Sequence, residues 1–121
     1  MTDDDYELLE LAAKAAGYKT AMMDKGYDFL QLCVVDGAGF NNDEVWSPLD
    51  DDGDALRLAV KLGLVVCVLN EISRTGIYLP AEHVGGKYDV VECHDGEPYA
   101  ATRRAIVLAA AEIGKSKQAA T

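Results

Sequence analysis

The sequence predicts an α+β fold, with an antiparallel sheet of about five strands packed against three helices. Three segments carry apolar residues at helical spacing and begin with acidic or capping residues. Short runs rich in β-branched and aromatic residues lie between them and are separated by brief turns. No repeat or linker interrupts residues 1–121, so we expect one domain with the element order α-ββ-α-βββ-α.

The first helix is predicted over 3–16. Its acidic start places carboxylates beside the unpaired N–H groups of the first turn, and Gly17 supplies a left-handed stop. The next two segments, 18–23 and 27–35, have the composition of a strand hairpin. The stretch 36–50 is rich in glycine, asparagine and aspartate, and we expect it to be irregular.

The second helix is predicted over 51–62, ending at Gly63. Its inward face is expected to consist of apolar side chains, namely Leu56, Ala59, Val60 and Leu62. The six apolar residues of 64–69 predict a central strand that is buried on both faces. Because Cys67 lies midway along this strand, we expect its thiol to be unreactive.

Two further strands are predicted at 77–79 and 88–93, and a third helix over 98–113. Pro98 suits the first turn of this helix. Gly114 is expected to end it, which leaves 115–121 as a frayed polar tail.

The third helix contains an unusual apolar run. Residues 105–111 are seven consecutive apolar residues, which point in every direction around a helix. We therefore expect cover on more than one side, from the sheet and from either the first helix or a second subunit. Cover by the first helix is favoured over cover by a second subunit. This predicts a monomer or a weak homodimer through the surface around Leu108.

Charge and composition exclude several functions. The chain has 11 basic and 21 acidic residues, and its formal net charge of −10 repels nucleic acid. It shows neither a membrane-length apolar run nor a secretory signal, which predicts a cytoplasmic protein without a membrane partner. The three cysteines form no CxxC pair, so reduced, packed thiols are expected.

An aspartate-rich run at the start of the second helix is a weak candidate for a cation site, through Asp50, Asp52 and Asp54. An EF-hand loop needs oxygen ligands at its first and last positions. Aligning its glycine with Gly53 leaves Pro48 at the first position and Ala59 at the last. A helix start loaded with carboxylates is the better interpretation, and no cofactor is expected.

The run Cys93-His94-Asp95 contains the residue types of a nucleophile, a base and an orienting acid. Neighbouring side chains on a strand point to opposite faces, so a catalytic dyad is not expected here. The other histidine, His83, lies in a turn-like segment without a serine or cysteine beside it. No catalytic residue is therefore assigned, although His94 and Asp95 stay candidate binding residues.

The single tryptophan precedes the second helix in the run Trp46-Ser47-Pro48-Leu49. A tryptophan beside proline and leucine favours a core plug that anchors a loop. The alternative is a contact residue for a partner, which requires exposure. Trp46 and Pro48 are therefore also candidate binding residues.

Two blocks of sequence resemble a known family. Residues 46–63 carry a W-x-P-L…DA-x-x-L pattern, and residues 99–114 carry an A-x-R-x-A-I pattern. Both are similar to the phage α-β-α sandwich domain of small, NinX-like phage and prophage proteins. This resemblance implies a phage or prophage origin, a three-layer sandwich and action inside a bacterial host. It implies no activity and no catalytic residue.

Three functions stay open. The first is a non-enzymatic phage accessory protein that binds a host or phage protein. The second is a small ligand-binding or enzymatic module with a site near Trp46, His94 and Asp95. The third is an acidic DNA mimic that inhibits a host DNA-binding or defence protein. Helix starts account for seven of the 21 acidic residues without any partner, which weakens the third hypothesis.

Overall fold

The computed structural model of the protein describes residues 3–24, 30–36, 44–80 and 88–119. Its elements are, in chain order, α1 (Asp3–Ala16), β1 (Lys19–Asp24), β2 (Leu30–Asp36), β3 (Glu44–Val45), α2 (Asp52–Leu62), β4 (Val65–Leu69), β5 (Arg74–Tyr78), β6 (Val90–Cys93) and α3 (Pro98–Ala119). A turn of 3₁₀ helix joins β4 to β5. The predicted α+β class with three helices is confirmed.

The described strands form two antiparallel sheets, in the orders β1-β2-β3 and β4-β5-β6. The expectation of a single sheet of about five strands is therefore wrong. Strands that follow one another in the chain pair locally as meanders. α2 separates the two meanders, and no pairing between them occurs among the described residues.

The apolar run at 64–69 does not form a central strand. β5 occupies the centre of the second sheet and β4 lies at its edge, where Val65 is 50% and Val68 is 47% exposed. An apolar run indicates contact with a core but not a position within the sheet. Cys67 is only partly buried, so the expected basis for an unreactive thiol is absent.

The face that α2 turns to the core agrees only in part with the expected one. Ala59 is buried and Leu62 packs against the core, as expected, but Leu56 and Val60 are 63% and 73% exposed, and Ala55 and Leu58 are buried in their place. Apolar residues surround most of this helix, so its sequence allows two overlapping apolar stripes. The predicted end of the helix is confirmed, because Gly63 adopts a left-handed φ of 68°.

α3 is the central helix of the described structure, since it packs against α1, α2, β5 and β6. It continues through Gly114 to Ala119, so the predicted stop at Gly114 is wrong, and the part of the predicted tail that the structure describes, 115–119, is helical. Gly114 is buried where α3 crosses α1, and an added Cβ would overlap the carbonyl group of Leu11. Beyond it, Lys117 Nζ donates to the Ala15 carbonyl oxygen at 2.8 Å.

The apolar run of α3 is buried within the molecule, as expected. Ala105, Val107, Ala109 and Ala110 have no exposed surface, and α1 is a principal neighbour of this helix. Leu108 is partly exposed. Within the described ranges, no helix combines the length and the apolar content needed to cross a bilayer.

Candidate functional site

Trp46 lies in the core. Its side chain is 1% exposed, and its ring meets the Tyr18 ring edge-on at a centroid distance of 5.9 Å. Its backbone N–H donates to the Leu32 carbonyl oxygen at 2.9 Å, which ties the start of the loop to β2. Burial raises the pKa of the Tyr18 hydroxyl. Pro48 is also fully buried, so neither candidate is accessible to a partner.

The aspartates around the start of α2 form hydrogen bonds that stabilise the helix start and the loop before it. The Asp51 carboxylate accepts from the backbone N–H of Asp54 at 2.8 Å, which caps the helix. Asp54 accepts from the backbone N–H of Ser47 at 2.9 Å and from Arg57 at 2.6 Å. The loop before α2 is therefore fastened to the first turn of the helix.

The other two candidate metal ligands have different partners. Asp50 accepts from the Ser47 hydroxyl at 3.0 Å, and Asp52 pairs with Arg103 of α3 at 2.6 Å. In the described part of the chain, no group of three or more His, Cys, Asp or Glu side chains is placed to hold a metal ion. The three aspartates named above as a weak cation site therefore do not form such a group.

His94 is buried in a polar network. Its Nε2 lies 2.8 Å from Thr75 Oγ1, and Thr75 Oγ1 lies 2.8 Å from Thr102 Oγ1. This chain of hydrogen bonds joins the turn after β6 to the centre of β5 and to α3. Because His94 is 6% exposed and Thr75 has no exposed surface, each group depends on the others for its hydrogen bonds.

The flanking residues of the Cys93-His94-Asp95 run do not share this environment. Cys93 and Asp95 are exposed, and Asp95 adopts a positive φ of 49° in the turn before α3. The backbone N–H of His94 donates to the Ser73 carbonyl oxygen at 2.8 Å. His83, considered above with the catalytic candidates, lies outside the described residues.

An open groove of about 450 Å³ lies between α2 and β4, with α3 as a further wall. We call it the α2–β4–α3 groove. Its lining is mostly apolar and includes Leu56, Ala59, Val66, Val68, Tyr99 and Ile106. Tyr99 is 74% exposed, so a large aromatic side chain stands at the rim beside the exposed Leu56.

Three polar residues that line the groove, Asp52, Thr102 and Arg103, are fixed by contacts within the molecule. Arg103 pairs with Asp52 through Nη1, and its Nε donates to the Leu49 carbonyl oxygen at 2.8 Å. Thr102 also lines the groove and is held by Thr75 in the network described above. These contacts brace the wall that α3 contributes.

The sequence did not reveal this groove. The predicted site residues Trp46, Pro48, His94 and Asp95 do not line it. Leu56 was expected in the core, and Tyr99 showed no pattern that separates a rim residue from any helical tyrosine. Only the exposure of both side chains in the folded chain identifies the surface.

Comparison of the chain with protein-family models, with curated proteins and with solved structures finds no match.

Proposed function

We propose that this protein is a non-catalytic phage or prophage accessory protein that acts in the bacterial cytoplasm by binding another protein through the α2–β4–α3 groove. One observation carries the binding part of the proposal. Three apolar side chains of the groove, Leu56, Val68 and Tyr99, are 63%, 47% and 74% exposed.

Exposed apolar side chains that gather around a concave surface are typical of interaction sites. Tyrosine and leucine bury much apolar area when a partner covers them, and tyrosine is frequent among residues that dominate binding energy. The phage origin and the three-layer sandwich rest on the sequence resemblance alone. Only the binding part of the proposal depends on the groove.

The two other hypotheses have less support. A ligand-binding or enzymatic site near Trp46, His94 and Asp95 would need accessible side chains, but Trp46 and His94 are buried. A DNA mimic needs free carboxylates with phosphate-like spacing, whereas Asp52 and Asp54 form ion pairs with arginines. We therefore favour neither.

Affinity capture from bacterial lysate, followed by mass spectrometry, tests the proposal with a matched pair of variants. Leu56→Asp changes the rim of the groove, and Val60→Asp makes the same charge change one helical turn away, at a residue outside the groove. A protein retained by the wild type and by Val60→Asp, but lost with Leu56→Asp, supports the function. Equal capture by both variants, or capture of no protein, contradicts it.

A further inference from the structure

One end of the α2–β4–α3 groove lies where two turns meet. The 3₁₀ turn after β4 contacts the turn before α3, because the backbone N–H of His94 donates to the Ser73 carbonyl oxygen at 2.8 Å. The lining residue Asn70 begins the first of these turns, and the lining residue Pro98 follows the second. The contact between the turns therefore fixes this end of the groove.

Two unpaired carboxylates belong to this end of the groove. Glu71 and Glu97 are the chain neighbours of the two lining residues just named, and both are exposed. In the part of the chain that the structure describes, neither of them forms an ion pair. Arg103 is the one basic side chain among the described lining residues, and its charge is balanced by Asp52. The end of the groove is therefore net negative.

The apolar part of the groove combines small buried residues with large exposed ones. Ala55 and Ala59 line it and are buried, whereas Leu56 and Tyr99 line it and are exposed. Small residues between large ones leave a depression, and protein interfaces fill such depressions with bulky apolar side chains. The groove therefore suits a segment that carries several large apolar residues.

A segment that contacts both features must present apolar and basic side chains on the same side. In an extended strand, neighbouring side chains point to opposite faces, so an alternating apolar and basic strand would turn its basic residues away from the groove. On a helix, residues at i, i+3, i+4 and i+7 form one apolar stripe, and basic residues that flank the stripe stay beside it. The apolar lining and the acidic end together favour a helix over a strand.

We propose that an amphipathic helix of a partner protein binds in the α2–β4–α3 groove, through an apolar stripe flanked at one end by lysine or arginine side chains. The stripe contacts Leu56, Val68 and Tyr99, as in other complexes where a helix lies in an apolar groove. The basic side chains lie beside Glu71 and Glu97 and fix the direction of the helix. A second copy of the chain is disfavoured, because each copy carries a net charge of −10. This inference rests on the proposed function and specifies its partner.

Three synthetic peptides of about 15 residues test the inference on the full chain by NMR titration. The first has leucine at i, i+3, i+4 and i+7 with lysine beside the stripe at one end, the second has glutamate in place of lysine, and the third has a central proline that breaks the helix. We expect only the first to shift the signals of Leu56, Val68 and Tyr99, at about millimolar peptide or below. Comparable shifts with the glutamate or the proline peptide, or no shift at these residues, would overturn the inference.

Two double variants separate the acidic end from the net charge of the protein. One combines Glu71→Gln with Glu97→Gln, and the control combines Glu7→Gln with Glu112→Gln, which are exposed glutamates outside the groove lining. Both remove two negative charges. At low salt, we expect the first variant to bind the lysine peptide about fivefold more weakly and the control to bind it nearly as the wild type does. Equal weakening by both variants, or no weakening by the first, would contradict the inference.

Failure of this inference can be told apart from failure of the proposed function. If lysate capture depends on Leu56 but the proline peptide binds as well as the first one, the groove binds protein in a form other than a helix. The inference then fails while the function stands. If the wild type self-associates and Leu56→Asp abolishes the association, the occupant is a second copy and the inference is overturned.

Discussion

Trp46 is the side chain on which the core around β2 and α2 depends. It belongs to the same buried cluster as Tyr18, Leu32 and Leu58. We expect Trp46→Ala to lower the free energy of unfolding by about 3–5 kcal/mol, through lost burial and the cavity left behind. Because Trp46 is the single tryptophan, urea unfolding should be followed by circular dichroism.

A matched control for this change is Tyr99→Ala, which removes an aromatic side chain that is 74% exposed. It should alter stability by no more than about 0.5 kcal/mol. A cost below about 1 kcal/mol for Trp46→Ala would contradict its role as a core residue.

The network through Thr75 is the second residue-level feature with a measurable energy. Thr75→Val keeps the shape of the side chain but leaves His94 Nε2 and Thr102 Oγ1 without this partner. We expect a loss of about 1–3 kcal/mol in chemical denaturation, because buried polar groups lose their hydrogen bonds. Thr75→Ser keeps the hydroxyl and should cost less than Thr75→Val. A neutral Thr75→Val would show that the network adds nothing to stability.

The cysteines provide a test of strand position. Cys93 is exposed, Cys67 is partly buried on the edge strand, and Cys33 is fully buried. Since access limits thiol modification, we expect iodoacetamide to label Cys93 first, Cys67 more slowly and Cys33 only after unfolding. Mass spectrometry of timed digests measures this order. Complete protection of Cys67 would show that β4 is covered in solution.

At the scale of elements, the crossing of α1 and α3 depends on Gly114. Alanine has the higher helix propensity, by about 1 kcal/mol, yet its Cβ has no room beside the Leu11 carbonyl group. We expect Gly114→Ala to destabilise the protein by about 1–3 kcal/mol, because the helices must move apart.

Ser116→Ala is the control for Gly114→Ala. It changes the same helix at a position that the crossing with α1 does not bury, since Ser116 is exposed on α3. It should leave thermal stability unchanged or raise it slightly. A Gly114→Ala variant as stable as the wild type would place the closest approach of the two helices elsewhere.

Gly63 and Gly114 show which helix ends a sequence can predict. Gly63 ends α2 with a positive φ, whereas Gly114 lies inside α3 and allows a close crossing. Both glycines follow an apolar helical segment, so their local sequences carry the same signal. The distinction depends on α1, which is distant in the chain.

The positions of β4 and α2 in the fold also depend on elements that are distant in the chain. Apolar content predicted a central strand buried on both faces at 64–69, but β4 lies at the sheet edge, and of this run Leu64 and Val66 pack against the core cluster. On α2 the sequence allowed two apolar stripes, and contact with α3 selects the one that contains Ala55 and Leu58. The candidate groove was therefore hidden in the sequence, because three separate elements form it.

For the whole molecule, the open question is association. α1 covers much of the apolar run of α3, and Leu108 is the partly exposed leucine of that run. We expect a monomer that dimerises weakly, at about millimolar concentration, through the surface around Leu108. Sedimentation equilibrium of the wild type and of Leu108→Glu measures this. A tight dimer that Leu108→Glu does not change would place the interface elsewhere.

The packing of α1 beside α3 also affects how the chain folds. The two helices run parallel, and their contacts join residues that are far apart in the chain. Asp5 and Arg104 are separated by 99 positions, and Ala15 and Lys117 by 102. Closing so long a loop costs conformational entropy before any contact repays it, which slows folding. During translation, α1 is synthesised well before α3, its main partner. The alanine face of α1 therefore stays uncovered until α3 is available, and this part of the core closes only after α3 has left the ribosome.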